Sequence, residues 1–134
     1  MTHPVNNKYF IACSTGNVDA ARSFLDAGVE PDARDRYGLT GLMWAGRKGR
    51  VAVAQLLLER GAGIEAVDVR DRTALFHAVT YQRYDFVTYL ASVGANVSPV
   101  DSYGWTPLDF SVTSHNRKMV TLLEGLGATS GRRA

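Results

Sequence analysis

Three histidines, one cysteine and a short run of serine, aspartate and histidine are the side chains that could do covalent or metal chemistry here, and their spacing supports neither. His3, His77 and His115 are far apart in the chain and combine with Cys13 into no metal-ligand pattern. Asp109, Ser111, Ser114 and His115 are close in sequence, but Asp109 and Ser111 open a short helical stretch and His115 falls in the turn that closes it, so no Ser-His-Asp relay is expected. Gly46, Arg47, Lys48, Gly49 and Arg50 have the composition of a phosphate loop without its spacing, which requires Gly-x-x-x-x-Gly-Lys-Ser/Thr between a strand and a helix. This stretch reads instead as a solvated turn between two short helices. The expectation is therefore no enzyme, no cofactor and no metal site.

The elements that would position these residues repeat. Gly28, Gly61, Gly94 and Gly127 fall 33 residues apart, and Asp35, Asp68 and Asp101, Thr40, Thr73 and Thr106, and Leu42, Leu75 and Leu108 keep the same interval. Within each period the pattern predicts two short helices. Thr40 is placed to cap the first, with Leu42 and Ala45 on one face, while Val53, Leu56 and Leu57 recur at helical spacing in the second. The in-phase glycines stop the second helices in a left-handed conformation. Gly16 and Gly49 mark the turn inside the pair, and Gln82 and His115 replace them with a less ideal one.

Apolar positions stack into columns: Ala20, Val53, Phe86 and Met119 in one, Phe24, Leu57, Leu90 and Leu123 in another. Helices this short are marginal alone, so packing between repeats must stabilise them and the core is quasi-linear. A further column, Ile11, Trp44, His77 and Phe110, sets His77 between aromatic neighbours, where it fills space with one nitrogen hydrogen-bonded. Cys13 reads as a small buried residue.

The phase, the phrase Thr106-Pro107-Leu108, and the closers Gly61-Ala62, Gly94-Ala95-Asn96-Val97 and Gly127-Ala128 resemble the ankyrin repeat. The resemblance implies an all-α solenoid of four stacked helix-turn-helix units with β-turn fingers, at about 5–34, 35–67, 68–100 and 101–129 of one domain spanning 1–134, with residues 130–134 as a flexible tail. The family's Thr-Pro-Leu-His histidine is missing from all three phrases, where Met43, Phe76 and Asp109 stand, and Met43 and Phe76 are expected to substitute packing for its hydrogen bonds. Asp71, in place of the glycine found at Gly38 and Gly104, implies a strained or rearranged second finger.

The same resemblance implies that fingers and first helices line a concave binding face. Mapped onto this chain it selects Arg36, Tyr37, Leu39, Arg47 and Lys48, then Arg70, Arg72 and Tyr81, then Tyr103 and Trp105. None of them is required by the packing pattern, and tyrosine, tryptophan and arginine are the types that most often dominate protein interfaces. Arginines gather on the first fingers while Tyr103 and Trp105 make the last one neutral and aromatic, which suits a protein partner with an acidic patch beside an apolar knob.

Charge limits the alternatives. Of 15 basic and 13 acidic residues, Arg132 and Arg133 fall in the tail, so the repeats balance at 13 and 13 and make a poor polyanion binder. No apolar run is long enough for a membrane span, and residues 1–10 lack the pattern of an export signal. A cytoplasmic location is expected, or an exported one if a signal lies outside this sequence. With no effector domain apparent beside the repeats, the expected function is that of a stand-alone module that regulates, inhibits or scaffolds a partner protein, as a monomer and without a small-molecule substrate. A self-associating structural component, or a nucleic-acid binder using Arg47, Lys48, Arg50, Arg70 and Arg72, are the rival readings.

Overall fold

In a computed structural model, which describes residues 7–131, the period becomes four helix pairs: α1 (Asn7–Thr15) and α2 (Val18–Asp26), α3 (Gly41–Lys48) and α4 (Val51–Glu59), α5 (Ala74–Thr80) and α6 (Tyr84–Ser92), α7 (Pro107–Thr113) and α8 (Arg117–Gly125). His3, Arg132 and Arg133 lie outside the described residues. The first helices α1, α3, α5 and α7 pack in a row, and each second helix packs on its own partner. No strand forms among the described residues, only one antiparallel bridge between Arg34 and Thr40. Gly46, Arg47 and Lys48, expected in a turn, belong to α3 instead.

The caps work as their spacing predicts. Thr40, Thr73 and Thr106 each accept the amide three residues on, from Met43, Phe76 and Asp109 at 3.2, 3.2 and 3.3 Å. Met43 replaces the polar partner with its sulfur, which accepts the Thr40 N–H at 3.5 Å, while Phe76 is purely packed. Asp109 goes further. Its carboxylate takes the Thr106 amide, the Gly131 amide at 2.9 Å and the Ser130 hydroxyl, and Thr106 Oγ1 donates to Thr129 O at 2.9 Å. Ser130 and Gly131, assigned to the flexible tail on sequence, are thus bonded to α7, because an aspartate there has acceptors to spare where a histidine would not.

Val53, Phe86 and Met119, and Leu57, Leu90 and Leu123, are fully buried in the expected columns. Each such side chain contributes on the order of 1.5–3 kcal/mol, an upper estimate since the unfolded chain is partly collapsed. Polar ties run beside the apolar ones. Gly63 N–H donates to Asp32 at 2.9 Å, Asn96 N–H to Glu65 at 2.7 Å and Thr129 N–H to Ser98 at 2.8 Å, a rung between successive loops at every step. Arg50 and Arg83 stand where α4 and α6 would be capped, and reach instead to the Ser14 and Arg47 carbonyls, both at 2.9 Å.

The second finger is strained and not rearranged. Asp71 keeps the turn of its glycine counterparts, its amide donating to Asp68 O at 3.0 Å as Gly38 does to Asp35 O, but holds a φ of 61°. A left-handed conformation costs a residue with a Cβ about 1–2 kcal/mol. Asp71→Gly is expected to raise the unfolding free energy by about 1 kcal/mol, read as an increased urea midpoint at unchanged slope.

Candidate partner-binding groove

Each finger is folded around its opening aspartate. Oδ1 of Asp35 accepts the amides of Tyr37 and Leu39 at 2.9 and 3.0 Å, that of Asp68 the amides of Arg70 and Arg72 at 2.8 and 3.0 Å, and that of Asp101 those of Tyr103 and Trp105, both at 2.9 Å. The second oxygen needs a donor from the helix behind. Trp44 Nε1 supplies it to Asp35 at 2.7 Å, and His77 Nε2 to Asp68 at 2.8 Å. Phe110 occupies that place in the third finger and has no donor, so Arg72 reaches across from the second finger to Asp101 Oδ2 at 3.1 Å.

Two of the sequence-derived binding residues therefore hold the stack, contrary to expectation. Leu39 is buried, and Arg72 is the counter-ion of a fully buried carboxylate, with its guanidinium 4.5 Å from the Phe76 ring centre and 5.9 Å from that of Phe110. Sequence spacing hid both, because the pattern identifies which positions vary and not which neighbour a varied side chain will find.

An open groove of about 720 Å³ lies between the first two fingers and in front of α3 and α5. It brings together Tyr37, Leu39, Arg47, Arg70, Arg72 and Tyr81, with Trp44, Asp68, His77 and Phe110 as additional walls and Val69 at the rim, 81% exposed. Arg47 is stacked on two rings, 4.8 Å from the Trp44 centre and 4.6 Å from that of Tyr81, and donates to the Tyr81 hydroxyl. The other selected residues lie elsewhere. Arg36, stacked on Tyr37 at 5.0 Å, faces a smaller hollow of about 210 Å³ with Phe10 and Ile11, and Lys48 lies beside Arg83 and Lys118. Tyr103 and Trp105 do not line the groove.

Two family models match the chain, one described as ankyrin repeats (many copies) over residues 9–58 and one described as ankyrin repeats (3 copies) over residues 63–130. The chain belongs to the ankyrin-repeat family. No curated protein matches it. Ankyrin repeats are protein–protein interaction modules, so a protein partner follows from membership, and the solenoid of helix pairs seen in the described residues is the family's fold. Among the described residues of this ankyrin stack no helix is long and apolar enough to cross a membrane.

In these ankyrin fingers one titratable pair lies at the groove floor. Burial holds His77 below its ordinary value of 6.5; the Asp68 carboxylate pulls the other way, and Arg47 and Arg72 reinforce the lowering. For Asp68, burial pushes upward but is outweighed by the Arg72 and Arg70 amides and by His77, leaving it below 3.8. At neutral pH the pair is a neutral imidazole donating to a carboxylate. Because the unfolded chain binds the His77 proton more readily, the stability this residue contributes is complete above pH 6.5 and is lost as pH falls through its folded value. Urea midpoints are expected to fall between pH 7 and 5, with a slope of at most about 1.4 kcal/mol per pH unit, and His77→Gln to flatten that dependence.

Proposed function

We propose that this ankyrin chain is a monomeric module that regulates its partner protein by covering a surface of it, and that the groove between the first two fingers is the contact. The observation that carries the reading is the collection of Tyr37, Arg47, Arg70 and Tyr81 around one open hollow, since these types offer wide contact area with directed donors. Arg47 is already held between two rings, so little side-chain freedom remains to be lost on binding. The partner surface that suits the groove is an acidic patch beside an apolar knob. Two of the cations that would serve a polyanion are instead occupied, Arg72 by Asp101 and Arg50 by the Ser14 carbonyl. A cytoplasmic setting fits a lone, fully buried cysteine whose thiol burial pushes up to about 12.

Affinity capture from the native lysate with wild type and with the combined Tyr37→Ala, Arg70→Ala, Tyr81→Ala variant tests this. Wild type is expected to retain a protein that the variant loses at unchanged helicity. Equal recovery by both would move the contact to another face, and recovery by neither would remove the reading.

A further inference from the structure

The second and third fingers are joined by their backbones, with Ser102 N–H donating to Arg70 O at 2.9 Å. One period earlier the corresponding groups are the Val69 N–H and the Tyr37 carbonyl, and these make no hydrogen bond among the described residues. The first two fingers thus leave one backbone donor and one backbone acceptor unbonded in residues that line the groove, and an extended strand brings a partner for each kind. Val69 and Tyr37 are also 81% and 59% exposed, so the notch is reachable.

Charge in the same groove is equally incomplete. Arg72 is neutralised by Asp101, and Asp68 is enclosed by two amides and His77, whereas neither Arg47 nor Arg70 pairs with a carboxylate among the described residues. Arg47 Nε is buried and one terminal nitrogen is taken by Tyr81, which leaves the other terminal nitrogen of the stacked guanidinium as the donor within a ligand's reach. A carboxylate is the acceptor that matches a guanidinium edge. The Asp68 charge beside two arginines without a carboxylate partner among the described residues leaves room for one negative charge better than for a dianion, and the Tyr37, Val69 and Trp44 walls supply apolar contact to either side.

Resting on the reading of this groove as the partner contact, we infer that it recognises an extended segment of the partner that carries a side-chain carboxylate. The carboxylate engages Arg47 and Arg70, and the segment's backbone pairs with the Val69 N–H and the Tyr37 carbonyl. The partner is therefore read as a strand-like acidic stretch flanked by apolar residues and not as a folded, broadly acidic surface.

The test is a selection from a synthetic library of end-capped random heptapeptides on the full chain, with capping removing terminal carboxylates. Wild type is expected to enrich Asp or Glu at one fixed position. Selected peptides are expected to shift the Val69 amide resonance and to lose at least tenfold in affinity on Arg70→Gln and on Arg47→Gln, with Arg47→Lys intermediate and all variants folded by circular dichroism. No enrichment, enrichment without an acid, or an acidic preference unchanged in both glutamine variants would overturn the inference. A phosphopeptide or oligonucleotide competing better than the selected peptides would overturn it too. The lysate capture is independent: a partner lost by the triple variant while the peptide selection fails would leave the groove as the contact and remove only the extended carboxylate.

Discussion

Asp101→Ala is expected to lower the unfolding free energy by about 3 kcal/mol, more than a hundredfold in the folding equilibrium. The carboxylate is fully buried and ends three polar interactions, two finger amides at 2.9 Å and the Arg72 guanidinium at 3.1 Å. Alanine leaves both amides without their acceptor and Arg72 without its counter-ion. Each abandoned donor costs about 1 kcal/mol or more where water cannot enter, which sets the total. Asp101→Asn retains an oxygen for the amides but turns an NH2 toward Arg72, so about half the loss is expected. Urea unfolding followed by circular dichroism measures both. A loss under about 1 kcal/mol for alanine would mean that the third finger is held by packing alone.

The same substitution separates structure from recognition. Arg72 leaves the groove's charge inventory only because Asp101 takes it, so Asp101→Ala releases a cation beside Arg70 and should tighten the grip on an acidic partner while weakening the fold. Stability and affinity moving in opposite directions is a result that a purely structural or a purely binding role for Arg72 does not give.

Much of this fold is legible in the spacing, because its elements are local. Thr40, Thr73 and Thr106 cap helices three residues away, and Gly28, Gly61, Gly94 and Gly127 all take positive φ after the second helices. The site is less legible. That Arg72 serves Asp101 follows only once Phe110 is compared with Trp44 and His77 and found to lack a donor, a comparison between columns that a single period does not prompt. The rungs from Asp32 to Gly63, Glu65 to Asn96 and Ser98 to Thr129 use three different side chains and share only an interval of 31 residues, so residue identity never announces them. A backbone bond is made between the second and third fingers and omitted between the first and second among the described residues, a difference that no composition encodes.

Gly46 carries the second large effect, and its sequence reading as a turn residue is where spacing misled. It lies inside α3, where a Cβ would meet the Ala74 carbonyl oxygen at 2.9 Å and Phe86 Cε1 at 3.2 Å. The glycine is present because α3 and α5 approach closely, not because the chain must turn. Residues one period away are Cys13 and Val79, and α3 packs more extensively on α5 than α5, bearing Val79, does on α7. Gly46→Val is expected to cost about 3 kcal/mol through overpacking. Gly46→Ala should cost about half as much, since a gain of about 1 kcal/mol in helix propensity offsets part of the clash. Phe86→Leu would relieve the ring contact and not the carbonyl, so the double variant should recover only part of the loss in a mutant cycle. Full recovery would locate the clash in the ring alone. The consequence reaches the groove, because moving α3 off α5 separates Arg47, near the end of α3, from Tyr81, which follows α5 and lies 4.6 Å away. Gly46→Ala, still folded, should therefore bind an acidic partner more weakly with every groove residue intact, measured by titration calorimetry, and unchanged affinity would show that the Arg47–Tyr81 stack is not what prepares the site.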